Sequence, residues 1–448
     1  MDIAFDNTQT YKRSSQSATI TPKDHSVLSK RAVLHNRLAM AKRQAICLSR
    51  SIRIFFVDVS VIVGKEKVSG ETIRTLYIGE PEKPRRSFGK FYSDSEAVEK
   101  HDNYLSLMES IYSNYQVVIQ KKNVGSFQVN RWIRKFENQV DLIFIDVELL
   151  FSHLIDKSKY ISLPQWVPQK LSIPDTWDAV LLKFRKSLRK KLRRVLRKEF
   201  RYIISNSEQH FHQFYSQMYV PYTNRRFGNL SVVYSHKTLM KQFYSGGHIL
   251  FLLMEDKVIL GQLLRQIRDR MAAIAWGASS NMNPSEMSGA FDVLTYYCIL
   301  DAFERGCKQF DLLGSRPFLE DGIFQFKRKW GTFIDTFYEP LSNIYLKICN
   351  FGAGTTSYIL NNPLITKRGD KFIGRILLTE KASSENVDRL IREYSTEGLH
   401  RIDVYCLKGI HKEINEYIIE NGLHIKMYDL SNSKSPEQDF SMSDPSGK

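Results

Sequence analysis

Asp311-Leu-Leu-Gly-Ser-Arg-Pro-Phe-Leu-Glu-Asp-Gly322-Ile-Phe-Gln-Phe-Lys-Arg-Lys-Trp-Gly-Thr332 carries the most specific pattern in this chain. Gln309–Leu313 reads as a strand, and Asp311 stands near its end, at the edge of a turn containing Gly314. An aromatic-basic segment, Ile323–Trp330, follows the glycine-rich break, with a last strand near Thr332–Tyr338. Upstream, His248–Met254, Val258–Ile267 and Met271–Ala278 alternate as three antiparallel strands. Glu255-Asp256-Lys257 and Arg268-Asp269-Arg270 supply the two tight turns between them. A helix over Ser288–Gly306 comes next. The strand-to-helix junction, Trp276-Gly-Ala-Ser-Ser-Asn-Met-Asn-Pro-Ser-Glu-Met-Ser-Gly-Ala-Phe291, is small and polar. A helix N-terminus offers unpaired N–H groups and partial positive charge. Ser288, Gly289 and Ala290 would let a phosphate approach it. Equally, Ser285 or Ser288 could cap the helix, with Gly289 serving only to pack.

At 448 residues the chain is long enough for two or three cores. Residues 1–30 read as a disordered tail, and 31–160 as an α/β unit with a basic helix at Arg31–Arg50 and strands at Ile52–Val63, Thr72–Ile78, Tyr115–Gln120 and Asp141–Val147. Three prolines mark 161–178 as a linker crossing the surface. Residues 179–340 hold the strands and helix above. A small α/β unit follows over 341–430, with a helix expected at Gly409–Glu420, and 431–448 reads as a second polar tail.

The formal charge of +17 favours an anionic partner. Much of that charge lies in 183–201, where 11 cations face a single Glu199. There Phe184, Leu188, Leu192, Val195, Leu196 and Phe200 recur at helical spacing, so one amphipathic helix with a cationic outer face is expected. That face could be plain solvated surface, or could meet a phosphorylated acceptor, tRNA or an anionic membrane. The 5 cysteines are scattered without a C-x-x-C pair, which argues against a zinc or disulfide framework. No secretory signal or bilayer-length apolar run is visible, so a cytoplasmic protein, peripheral at most to the inner face of the membrane, is expected.

The order of elements in 246–331 resembles GNAT-superfamily acyltransferases of the Fem-like type, including those linked to cellulose and exopolysaccharide synthesis. The matching pieces are Ala275–Ser280, Ser288-Gly289, Phe303-Glu-Arg-Gly306, Phe310-Asp311, Gly314 and Phe326-Lys-Arg-Lys-Trp-Gly331. Tyr219-Val-Pro-Tyr-Thr-Asn-Arg-Arg226 resembles a further family segment, which extends the likeness to about 160–340. The resemblance implies a mixed, mostly antiparallel α/β (α+β) sheet flanked by helices, as two GNAT-like halves plus the small C-terminal unit. It implies acyl-CoA (acetyl-CoA) as donor co-substrate, with no permanently bound cofactor and no metal. The donor would lie along Ala275, Trp276 and Gly277, with its pyrophosphate at Ser288, Gly289 and Ala290. Lys327 would be the electrophilic helper and Asp311 a base or orienting group. Tyr219, Tyr222, Arg226 and Trp330 would meet a small-molecule or glycan-precursor acceptor. Glu286, three residues before Gly289, departs from the usual phosphate loop. The implied activity is acyl transfer to an amine or hydroxyl of a cell-envelope sugar or amino compound. Its rivals are transfer from aminoacyl-tRNA in the manner of the peptidoglycan enzymes, a non-catalytic GNAT fold, and a nucleic-acid-binding protein.

Overall fold

The computed structural model describes residues 56–79, 103–148, 155–197, 200–228, 233–280, 284–336, 342–411, 416–418 and 423–441. The first unit contains β1 (Phe56–Glu66), β2 (Thr72–Gly79), α1 (Asn103–Ile111), β3 (Tyr112–Gly125), α2 (Val129–Phe136), β4 (Leu142–Glu148) and β5 (Ile161–Pro164). Its strands alternate between two apolar faces. Val57, Val59, Leu76, Ile78, Ile143 and Ile145 pack with Val129, Ile133 and Phe136 of α2. Ile62, Ile73, Tyr77 and Phe144 turn the other way, toward Leu107, Met108 and Ile111 of α1.

The second unit comprises β6 (Val167–Ser172), α3 (Trp177–Lys183), α4 (Lys186–Val195), β7 (Phe200–Ser205), α5 (Glu208–Gln213), a π-helical turn at Phe214–Tyr219, α6 (Val220–Phe227), α7 (His236–Tyr244), β8 (Gly247–Met254), β9 (Lys257–Ile267), β10 (Arg270–Ala278), α8 (Pro284–Glu304), β11 (Gln309–Ser315), α9 (Gly322–Arg328) and β12 (Phe333–Ile334). Its seven strands lie in the order β12-β6-β11-β10-β9-β8-β7. Leu250, Leu252, Leu260 and Leu264 face α3, α4 and α8, while Ile249, Phe251 and Leu263 face α5, α7 and the π-helical turn. Both faces are covered, so the sheet is a three-layer core. The tight turns form as expected, with Glu255, Asp256 and Arg268 at positive φ.

β13 (Ser342–Ile348) returns to the first unit, giving it the strand order β3-β1-β2-β4-β13-β5. After α10 (Ala353–Asn361) comes the third unit: β14 (Leu364–Arg368), β15 (Lys371–Leu378), α11 (Ser384–Tyr394), β16 (Leu399–Cys406), β17 (Glu416–Ile418), β18 (His424–Asp429) and α12 (Pro436–Ser441). Its strand order is β14-β15-β16-β18-β17. The whole is a mixed α/β fold whose sheets are mostly antiparallel and flanked by helices.

Several expectations need correction. The segment 161–178 is no surface linker: β5 and β6 lie within two different sheets, and Val167 and Leu171 are fully buried. Pro168 is tolerated there because it faces Gly314 at a bulge in β11, where no donor is required. Its carbonyl still accepts from the Asp335 N–H at 3.0 Å. Residues 341–430 are not one unit, since β13 and α10 pack with the first sheet. The basic stretch 183–201 is not one helix. Phe184 and Arg185 are extended, because Phe184 packs edge-on against Trp330 at 5.0 Å and the Arg185 N–H bonds the Lys329 carbonyl. Phe200 and Arg201 already belong to β7. Within the helix expected at Gly409–Glu420, Glu416–Ile418 is an edge strand. The second polar tail begins too early, since Phe440 is fully buried and its carbonyl accepts from Arg375. Residues 1–30, and the helix read at Arg31–Arg50, lie outside the described residues.

Candidate active site

β10 and β11 run parallel, but their pairing is short. Arg270, Met271 and Ala272 face Gln309, Phe310 and Asp311, and the register stops there. β11 continues along β6 to Ser315, while β10 continues along β9 to Ala278. The two strands therefore diverge beyond Ala272 and Asp311. Beyond that point neither strand has the other as its ladder partner.

Three side chains hold the β11 arm in place. Leu313 sits at φ 63°, a left-handed conformation costly for a branched residue. The Asp311 carboxylate accepts from the Leu313 N–H at 2.8 Å and lies 3.6 Å from Arg270. Lys327, buried on α9, donates to the carbonyls of Leu313 at 3.0 Å and Gly314 at 2.7 Å. Burial pushes its ammonium down to about 7, against the pull of Asp321 and Asp311. Asp321 caps α9 by accepting from the Ile323 and Phe324 N–H groups. Asp311 and Lys327 thus converge on one kink, as chemical neighbours rather than as separate groups.

On the β10 side, Trp276 packs edge-on to Phe291 at 4.9 Å and tilted to Phe326 at 5.8 Å. Tyr222 packs with both Phe291, at 5.6 Å, and Trp276, at 6.5 Å. Burial raises the Tyr222 phenol above its usual range, opposed by Arg226 and Arg225. Phe326 connects this group to Trp330 at 6.5 Å. Trp330 is fully buried, and its Nε1 has no hydrogen-bond partner among the described residues. Gly277 is where β10 meets the π-helical turn: a Cβ there would lie 2.6 Å from the Tyr219 nitrogen. Trp276, Tyr222 and Trp330 are thus linked through Phe291 and Phe326, Asp311 and Lys327 meet at the β11 kink, and Ala275 and Gly277 face the other side of β10, toward Met218 and Tyr219 of the π-helical turn. Tyr219 stands apart, buried, with its hydroxyl accepting from the Tyr234 N–H at 2.8 Å. Arg226 is exposed, one turn beyond Tyr222.

The expected phosphate cradle looks different in three dimensions. α8 begins at Pro284, so Gly289 and Ala290 lie a turn inside it rather than at its tip. Gly289 has φ 94°, and Val195 of α4 would stand 3.2 Å from a Cβ placed there. Ala290 is fully buried. The Ser288 side chain lies outside the described residues.

Sequence reasoning missed a charged cluster at this end of α8. Asp292, 3% exposed, is bound by both Lys191 of α4 and Lys329. Burial lowers the Lys329 ammonium, with Asp292 opposing and Lys191 assisting. The Lys329 ammonium also lies 4.2 Å from the Phe326 ring centre. No local spacing could have signalled this, because the three charges come from three distant segments. Replacing Asp292 by Asn leaves two lysines facing one neutral amide. A loss of about 2 kcal/mol is expected, less than for a fully buried pair because both lysines are partly solvated. Urea unfolding at pH 7 measures it, and an unchanged midpoint would contradict the pairing.

Arg328 was likewise unforeseen. Its buried guanidinium donates to the carbonyls of Arg392, Glu393 and Ser395 at the end of α11. Burial lowers it to about 9, with neighbouring Arg185 adding to the shift. Lys327 and Arg328 therefore tie α9 to β11 on one side and to the third unit on the other.

Residues 183–328 match the family model described as an acetyltransferase (GNAT) domain. The matched segment contains both strands of the gap, the π-helical turn and α8. Comparison with curated proteins finds no match. Among solved structures, FemX is similar at 14% identity over 69% of this chain and 91% of its own, with a TM-score of 0.31. The L-PGS of Bacillus licheniformis is similar at 12% identity over 66% and 87%, with a TM-score of 0.29. A GCN5-related N-acetyltransferase from Kribbella flavida is similar at 12% identity over 69% and 93%, with a TM-score of 0.25.

Proposed function

We propose that this chain is an acyltransferase that takes an acyl group from acyl-CoA and passes it to an amine or hydroxyl of a cell-envelope sugar or amino compound. One observation carries the reading: within the segment matched to the GNAT domain, β10 and β11 separate after Ala272 and Asp311. An extended, amide-bearing donor can hydrogen-bond to the edge of β10 that β11 no longer pairs, as a missing strand would. In the reaction the acceptor's nitrogen or oxygen bonds the acyl carbon, its proton leaves to a base, and the thioester C–S bond breaks as the sulfur regains a proton. Binding both partners in one gap supplies proximity. Lys327 supports the reaction by fixing the β11 arm and by placing positive charge on the side where the oxyanion forms. Asp311 shapes the same arm. Trp276, packed with Tyr222, Phe291 and Phe326, gives β10 an aromatic flank for the acceptor, Trp330 backs that flank from the core, and Arg226 is an exposed cation one turn from Tyr222 that can meet an anionic acceptor group.

Titration calorimetry with CoA and acetyl-CoA tests the donor. Saturable binding is expected for both. The strong net charge also suits a tRNA-borne donor, so aminoacyl-tRNA is the second reading. Turnover on aminoacyl-tRNA without CoA binding would exchange the donor and keep the gap. Neither donor binding would refute both.

A further inference from the structure

α4 has two unlike faces. Leu188, Leu192 and Val195 point inward and are buried. Lys186, Lys190, Arg193 and Arg194 are exposed, as is Arg197 just beyond the helix. None of these five has a side-chain partner among the described residues. Several cations elsewhere in the fold are matched, as in Arg305 with Asp301, Arg389 with Glu380 and Lys347 with Glu137. Even Lys191, on the same helix, is paired with Asp292. The helix carries no acidic residue to balance them. Leu182, on the preceding α3, is 69% exposed.

We propose that the outer face of α4 docks this protein on an anionic phospholipid surface. A ten-residue helix is a straight rod of about 15 Å, so its cations can reach one plane together. Polybasic helices gain most of their membrane affinity from charge, and an exposed apolar residue such as Leu182 adds a shallow anchor. A single-stranded nucleic acid would instead want aromatic rings to stack upon. The aromatic residues of this region are turned inward: Phe184 is buried, and Trp177 packs on Tyr296 and Phe303. No helix among the described residues is long and apolar enough to cross a membrane. The inference rests on the charge of this face and not on acyl transfer, so failure of the donor experiment would leave it standing.

The test is sedimentation of the full chain with phosphatidylcholine vesicles, with and without phosphatidylglycerol, at low and high salt. Binding is expected only to the vesicles containing phosphatidylglycerol, and it should vanish at high salt. Replacing Lys186, Lys190, Arg193 and Arg194 together by Gln should weaken it by at least about tenfold. Circular dichroism and the thermal midpoint of that variant should match the parent. A Leu182→Ala variant should lose less, about two- to threefold. Equal binding to both vesicle types would overturn the proposal, as would no binding at all. So would salt-sensitive binding of tRNA that the same four substitutions abolish while vesicles stay unbound.

Discussion

A chain carrying Lys327→Met is expected to remain folded and to lose turnover by about 100-fold or more. The substitution keeps most of the side chain's volume, so α9 has little reason to move. It removes both hydrogen bonds to β11, leaving the Leu313 and Gly314 carbonyls without their donor. Leu313 then has less to hold it in a left-handed conformation, and the arm can relax toward β10. A displacement of about 1 Å at a reacting site can cost a hundredfold in rate. Steady-state kinetics reads the loss, and full activity in the variant would remove Lys327 from the mechanism.

The same substitution has a pH signature. The buried amine of Lys327 has a folded pKa of about 7. In the unfolded chain a lysine titrates near ~10.4. Between those values the unfolded chain holds a proton that the folded one has released, so stability must rise with pH. The penalty of the buried charge is fully present below about pH 7 and is relieved progressively toward pH ~10. Its greatest slope is about 1.4 kcal/mol per pH unit for one proton. The neutral amine retains two N–H groups, enough for both carbonyls, so the geometry survives the titration. Denaturant unfolding of parent and variant at several pH values should differ by this slope. Parallel curves would mean that the amine stays charged.

Gly331→Ala should be among the most damaging single changes to the fold. Gly331 has φ 74°, and a Cβ there would collide with the main-chain carbonyl of Lys183. That carbonyl sits where α3 breaks, beside the bond from the Arg185 N–H to the Lys329 carbonyl. It cannot swing away without dislodging Phe184 from Trp330. Left-handed backbone strain and main-chain overlap together are expected to cost about 3 kcal/mol or more. The readout is the urea midpoint, or loss of soluble protein. A variant as stable as the parent would show that the α3–α4 junction is more pliable than its packing implies.

The antiparallel hairpins were legible because alternation and tight turns coincide at Glu255–Lys257 and Arg268–Arg270. The aromatic-basic segment stood out for a local reason too, whereas Gly314, read as a turn, lies in β11 at its bulge. What stayed hidden was set by distant partners. Pro168 looked like a strand breaker, and only the bulge opposite it makes the strand feasible. The break in the basic helix at Phe184 depends on Trp330, nearly 150 residues away. Gly289 was read as room for a phosphate, whereas α4 lies across it. Lys327 and Asp311 were singled out from their pattern, but nothing local showed that both act on the backbone of Leu313 and Gly314. Asp292 carried no local signal, and Phe326 and Arg328, though inside the quoted motif, gave no sign of their distant partners.

The placement of β13 between β4 and β5 has a consequence for synthesis of the chain. The amino-terminal sheet keeps an open seam until its late strand has left the ribosome, by which time the whole of β6 through β12 has already emerged. That intervening domain can finish first. The earlier-made half must wait for it, and a nascent chain stalled before Ser342 would expose two strand edges to any passing partner.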